Sequence, residues 1–445
     1  MKTIAVSVLL IAGLVLLNTQ LAASAQIVTA LSLLWVIAVL WLTETLHITI
    51  TAFLVPVLAV ALGLLEVPEA MVNFGHPVIF LFLGGFALAS AMHVQGLDKW
   101  LADAILRVTG GRLDRGVILL AAATALLSMW ISNTAVTAVM LPLILGLLSE
   151  KEDLPVRTRA FGLLAIAYSA NIGGIGTLIG TAPNALVAAE LGITFVEWLA
   201  IGLPVSLALW PLMMTVLWLA LRPDFLDNRI QVNHSAFTWT GPRKRLIGIF
   251  ALTVAAWLLA QPLGQWLDIG SGVDTWVALS AMVLIAAARV ATWKEIERGA
   301  DWGVLLLFGG GLTLSEVLKT SGASVYLGLS LADFVQGWGA FFILAAIIAF
   351  VVFLTEIASN TATTALLVPV FIALPAGLVD PAMAAIAVGV SSSCAFMLPV
   401  ATPPNALVHG TGLIEQRVMM RNGLVINIAS ILALAVLLNV VKLPL

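Results

Sequence analysis

The chain has 445 residues, of which 10% are charged and 61% apolar, with a mean hydropathy of +1.12. So little polar surface cannot cover a soluble globule of this size, and a net charge of −3 offers no basic field for nucleic acid. The composition is that of an all-α polytopic membrane protein, and the length accommodates roughly eleven to fourteen spans.

The first apolar run, residues 4–22, follows Lys2 and ends at Ala23-Ser24-Ala25, so it also reads as a cleavable signal peptide. Uncleaved, it is the first span. Runs at 27–42, 50–65 and 77–95 follow, then one at 116–148 that is too long for one crossing and short for two, with Ser132-Asn133-Thr134 at its middle. A re-entrant hairpin with the triplet at its tip fits it. Runs at 160–190, 197–221, 246–263, 275–288 and 303–318 precede a second long one, 340–376, with Ser359-Asn360-Thr361 near its centre. Runs at 382–414 and 423–441 complete the chain. None alternates apolar and polar residues, which excludes barrel strands.

With two hairpins re-entrant, about eleven segments cross. If the N-terminus is cytoplasmic, all Lys and Arg fall inside except Lys319 and Lys442, which matches the positive-inside rule. The expectation is a multi-pass protein of the inner (cytoplasmic) membrane with its C-terminus outside. The single cysteine, Cys394, lies in an apolar run and reads as inert packing. The histidines, His47, His76, His93, His234 and His409, are scattered and form no metal motif.

The chain repeats itself. Gly84-Gly85 recurs as Gly310-Gly311 at an offset of 226, and the Ser-Asn-Thr triplets and Pro142/Pro369 recur at 227. Gly180-Thr181-Ala182-Pro183-Asn184-Ala185-Leu186 meets Ala401-Thr402-Pro403-Pro404-Asn405-Ala406-Leu407 at 221. Matched features in one order at a nearly constant offset mark two copies of one unit. An odd number of crossings separates equivalent points, so the second copy is inverted, the arrangement of secondary transporters with a site near the midplane.

Each copy interrupts its helices twice, at the hairpin tip and at a Pro-Asn break. Freed carbonyls with Ser, Thr and Asn oxygens make a hard oxygen shell suited to Na+, and helix N-termini present amides to an anion. The hairpins and broken spans contain no Lys or Arg. A dianion there would depend on bound Na+ for positive charge.

These residues resemble the divalent anion/sodium symporters, the INDY-like dicarboxylate transporters. The likeness covers most of the chain beyond the first span, including Thr43-Glu44-Thr45, Thr51-Ala52, both triplets and both breaks. It implies a homodimer whose transport domain moves elevator-fashion against a scaffold. Residues 1–113 would be the first part of the scaffold and 114–222 the first part of the transport domain. Residues 223–337 would hold a cytoplasmic linker and the rest of the scaffold, and 338–445 the rest of the transport domain. It also implies one Na+ site at Ser128, Ser132, Asn133 and Gly180, and a second at Thr355, Ala358, Asn360 and Ala401. Substrate carboxylates would meet Asn133, Thr134 and Thr181 from one copy, and Asn360, Thr361 and Thr402 from the other. Ala182 departs from the family's usual second proline, kept here at Pro403, so the first break is expected to be the less rigid.

Glu356, near the second tip, is either a tuner of the cation site or a hydrogen-bonded structural carboxylate. Glu44 reads as interfacial. The leading function is Na+-coupled symport of a C4 dicarboxylate such as succinate, malate or fumarate. Na+-coupled sulfate transport and dicarboxylate exchange remain open beside it. An intramembrane enzyme would need His-Glu-x-x-His or a paired Ser and His, and neither is found, so no enzymatic activity is expected.

Overall fold

The computed structural model describes residues 2–108, 112–149, 154–225 and 237–440. Lys151, Arg229, His234 and Lys442 lie outside them. All regular elements among the described residues are helices. The first copy runs α1 (Lys2–Gln20), α2 (Ala25–Thr43), α3 (Ile48–Ala61), α4 (Val67–Val72), α5 (Pro77–Gln95) and α6 (Leu97–Val108). It continues through α7 (Leu113–Ser128), α8 (Asn133–Ser149), α9 (Val156–Gly174), α10 (Ala182–Leu191) and α11 (Phe195–Leu221). The second runs α12 (Gly241–Leu258), α13 (Ala260–Trp266), α14 (Val273–Ala287), α15 (Trp293–Gly299), α16 (Trp302–Thr320) and α17 (Ala323–Phe334). It ends with α18 (Ala340–Thr355), α19 (Asn360–Phe371), α20 (Pro381–Ser392), α21 (Pro403–Gly410) and α22 (Gln416–Val440).

Helices fill the apolar runs, with interruptions where polar or proline residues break them, and four more, α4, α6, α15 and α17, lie between the runs. Among the described residues five helical stretches are by themselves long and apolar enough to cross a membrane: α2, 67–95, α11, α16 and α22. Of the other runs, 4–22, 50–65 and 275–288 form the single shorter helices α1, α3 and α14, and the rest are divided into pieces. The run 246–263, read in the sequence as one segment, bends by 84° between α12 and α13. Pro262, one turn into what would have continued α12, has no N–H for the Leu258 carbonyl and its ring crowds that turn.

Packing reproduces the repeat. A Cβ on Gly84 of α5 would come within 2.5 Å of the Ala278 carbonyl oxygen in α14, and one on Gly310 of α16 within 2.6 Å of the Ala52 carbonyl oxygen in α3. Both members of the second contact are related to those of the first by the offset of 226. Each copy thus lends one helix to a close crossing with the other, and only glycine permits the approach. At the centre lies α9, buried continuously from Ala160 to Gly174. It packs against α7, α8, α11 and α21, and so touches both copies. At the periphery α1 exposes Ile4, Val8, Ile11 and Val15, an apolar face suited to lipid.

Candidate functional site

α7 and α18, 16 residues each, reach about 24 Å along their axes, and each ends at a polar tip. Four residues separate α7 from α8, and four separate α18 from α19. In the broken spans, α9 stops at Gly174 and α10 starts at Ala182, while α20 stops at Ser392 and α21 starts at Pro403. Thr181 and Thr402 are the N-caps of the second segments, with prolines in the first turn where their missing N–H costs nothing. The N-terminal ends of α8, α10, α19 and α21 meet around one cavity of about 820 Å³. Ser132, Asn133, Thr134, Gly180 and Thr181 line it from the first copy, and Asn360, Thr361, Ala401 and Thr402 from the second. Phe82, Phe86 and Leu307 make an apolar wall, and Glu44, His47 and Asp301 add polar groups. No Lys or Arg lines it among the described residues.

Behind each tip lies a cluster of oxygens. Ser128 Oγ is 2.7 Å from Asn133 Oδ1 and 2.7 Å from the Ala170 carbonyl oxygen. Thr355 Oγ1 is 2.6 Å from Asn360 Oδ1 and 3.0 Å from the Ser392 carbonyl oxygen. One hydroxyl proton cannot serve two acceptors fully, so each trio is richer in acceptors than in protons. The donor set, hydroxyl, amide and backbone carbonyl oxygen, is what a hard cation takes. In the first copy Gly174 and Gly180 press against this group: a Cβ on Gly174 would lie 2.6 Å from Asn133 Oδ1, and one on Gly180 2.4 Å from the Gly174 carbonyl oxygen. Thr137 and Thr364 hydroxyls donate to the carbonyls of Asn133 and Asn360, fixing the first turn beyond each tip.

The breaks are held by side chains. Asn184 Nδ2 donates to the Gly174, Ile175 and Thr177 carbonyls at 2.9, 3.3 and 2.7 Å. Its counterpart Asn405 donates to the Ala395 and Leu398 carbonyls at 3.0 and 3.1 Å. In the first break, Trp198 Nε1 also donates to the Ile175 carbonyl and Thr177 Oγ1 to the Met129 carbonyl. In the second, the Glu356 carboxylate accepts from the backbone N–H groups of Phe396, Met397 and Leu398 at 2.7, 2.8 and 2.9 Å. It also accepts from Asn427 Nδ2 at 2.7 Å, and Tyr168 Oη donates to the Phe396 carbonyl at 2.7 Å. Of the two roles open to Glu356 in the sequence, the geometry shows the hydrogen-bonded one.

The structure therefore brings together Asn133, Thr134, Thr181, Asn360, Thr361 and Thr402 around the cavity, with Ser128 and Thr355 behind the tips. Ser132 accepts the Ala135 N–H as a helix cap, and Ala358 is buried at its tip; neither enters an oxygen trio through a hydrogen bond. Glu44, read as interfacial, is exposed and lies at the edge of the cavity as the left-handed end of α2 (φ 48°). Sequence reasoning missed Tyr168, Ala170, Asn171, Ser392 and Asn427. Their only signal was a polar residue inside an apolar run, and for Ala170 there was none.

The comparisons with known proteins agree with this architecture. A family model described as citrate transporter matches residues 38–389. An uncharacterized transporter of Haemophilus influenzae is 45% identical over 396 residues, covering 87% of this chain and 86% of its own. The sodium-dependent dicarboxylate transporter SdcS of Staphylococcus saprophyticus is 32% identical over 425 residues, 86% of this chain and 80% of its own. The crystal structure of the Alcanivorax borkumensis YdaH transporter shares the fold, with a TM-score of 0.58 at 17% identity over 83% of this chain and 86% of that one. With its two triplets, its two breaks and these relatives, the chain belongs to the citrate transporter family, of the divalent anion/sodium symporter type, and is a multi-pass membrane transporter.

Proposed function

We propose that the protein carries out Na+-coupled symport of a C4 dicarboxylate, with Na+ in the two oxygen trios and the dianion between the tips. The observation that carries this reading is the pairing of two proton-poor trios with a cavity that no Lys or Arg lines among the described residues. Bound Na+ would supply the missing positive charge. Asn133 and Thr134 face the cavity from one tip and Asn360 and Thr361 from the other, which suits a substrate with a carboxylate at each end better than a single tetrahedral sulfate. The name of the SdcS relative supports the same substrate class.

In this reading the four stretches 1–113, 114–222, 223–337 and 338–445 alternate between scaffold and transport domain, and the chain works as a homodimer by an elevator motion. The N-terminus is cytoplasmic in this reading, and Glu44 and Asp301 are among the residues lining the cavity. Roughly 27 Å along α16 from Asp301, Lys319 Nζ meets Glu190 Oε2 of α10 at 2.6 Å, an ion pair between the two domains of this reading. Purified protein in liposomes tests the function. Labelled succinate should accumulate under an inward Na+ gradient, and accelerate under an inside-negative potential if more than two Na+ accompany each dianion. Uptake unchanged when K+ replaces Na+ overturns the symport, a strict need for internal dicarboxylate points to exchange, and stronger competition by sulfate or citrate than by malate reassigns the substrate.

A further inference from the structure

The two N-cap threonines that face the cavity are not chemically equivalent. Thr402 Oγ1 accepts the Asn405 backbone N–H at 3.3 Å, which caps α21, and also accepts Asn171 Nδ2 at 3.1 Å. A hydroxyl has two lone pairs and one proton. With both lone pairs engaged, the only hydrogen-bonding function left to Thr402 is to donate. Thr181, its counterpart, takes no cap bond from its own helix and is free to donate or accept. At the break's offset of 221 the residue matching Asn171 is Ser392, whose hydroxyl donates to the Gly389 carbonyl and lies 2.8 Å from Thr364 Oγ1, with no hydrogen bond to Thr181.

Asn171 itself is fully buried on α9 and lies in the cavity wall. Its Oδ1 has no partner among the described residues, so the bond to Thr402 alone orients the amide. An unpartnered buried carbonyl destabilises a fold, and serine or alanine would avoid it. The value of the amide therefore lies in what its N–H holds. We propose that Asn171 is a positioning residue that turns the Thr402 hydroxyl into a dedicated donor for one carboxylate of the substrate. The other end of the substrate meets the uncommitted Thr181 and is held less stringently. This rests on the reading of the cavity as the dicarboxylate site.

The test is succinate uptake into liposomes under a fixed Na+ gradient, with wild type, Asn171→Asp, Thr402→Val and the double variant. Aspartate keeps the size of asparagine but accepts where the amide donates, so Thr402 would turn its proton toward it and away from the substrate. Asn171→Asp should raise KM about tenfold, the loss of one hydrogen bond to a charged group, with a much smaller change in kcat. In the Thr402→Val background the same substitution should raise KM by less than about twofold, because no hydroxyl remains to be oriented. Repulsion between the new carboxylate and the dianion would persist without the hydroxyl, so additive effects overturn the proposal, as does an unchanged KM in Asn171→Asp. If the aspartate variant is not recovered folded, Asn171→Ala in the same cycle decides by the same criterion. A wild type that takes up neither succinate nor citrate overturns the reading of the cavity, and this proposal with it, whereas normal wild-type uptake with an additive cycle overturns this proposal alone.

Discussion

The two helix breaks share a Pro-Asn sequence pattern and an extended N-cap threonine, yet different chemistry holds them. In the first, residues 175–181 form tight turns whose backbone N–H groups bond locally, as Gly176 does to Gly173 at the end of α9 and Gly180 to Thr177. Neutral donors from Asn184 and Trp198 take up the outward carbonyls. In the second, three consecutive N–H groups, Phe396 to Leu398, point the same way and converge on the Glu356 carboxylate. The position matching Glu356 in the first copy is Met129, which contributes only its backbone carbonyl, to Thr177. The two copies thus share the capped start of the second helix, while the means of satisfying the backbone before it diverged. What the cavity requires is the direction of the helix ends, and a turn of small residues or a buried carboxylate can each secure it.

The largest effects should come where the copies still agree. Asn133 and Asn360 each give Oδ1 to an oxygen trio and stand at a cavity tip. Asn133→Ala and Asn360→Ala should each reduce uptake by about 100-fold, roughly 3 kcal/mol, while the protein remains monodisperse in detergent. Near-normal uptake by either variant would show that only one copy retains the site.

Next in size is the contrast between the breaks themselves. Glu356→Ala leaves three backbone N–H groups and the Asn427 amide without their acceptor in the protein interior, a loss of about 3 kcal/mol or more. Thr177→Val removes one neutral bond and should cost about 1 kcal/mol. Thermal unfolding in detergent should therefore fall far more for Glu356→Ala than for Thr177→Val. Equal shifts would mean that the second break is held by its packing and the carboxylate is incidental.

How far the sequence revealed this follows from the same contrast. The repeat, the tips and the breaks were legible because each leaves a local mark, a polar triplet or a proline, and the constant offset confirms it. The partners of those features were not. Asn171 reaches Thr402 across 231 residues, and Asn427 reaches Glu356 across 71. A lone amide in an apolar helix bonds its own backbone as readily as a distant group, as Asn422 does to the Val418 carbonyl. Only the packing of α9 and α22 against the broken spans tells the two cases apart. The bend at Pro262 was missed for the opposite reason: its local mark was present, but the surrounding run was apolar enough to read as one span.

The smallest predicted effect concerns Ala182, where the first break lacks the proline that the second has at Pro403. That absence suggests a looser first break, yet the backbone there already has the geometry that a proline needs. Thr181 has φ −149° and ψ 147°, and Thr402 before its proline has φ −141° and ψ 150°. Thr181 thus already holds the extended conformation that a residue preceding proline requires. Ala182 is the first residue of α10, a position whose N–H has no partner within the helix. Ala182→Pro should therefore be accepted without strain and should stabilise the protein by about 0.4–1 kcal/mol, through the unfolded chain rather than through any new contact. Thermal unfolding should rise slightly, and the Na+ concentration giving half-maximal uptake should stay where it is in the wild type. A fall in the Na+ requirement would instead mean that the turn at 175–181 moves during binding and that its flexibility, absent from the second break, is part of how the first cation enters.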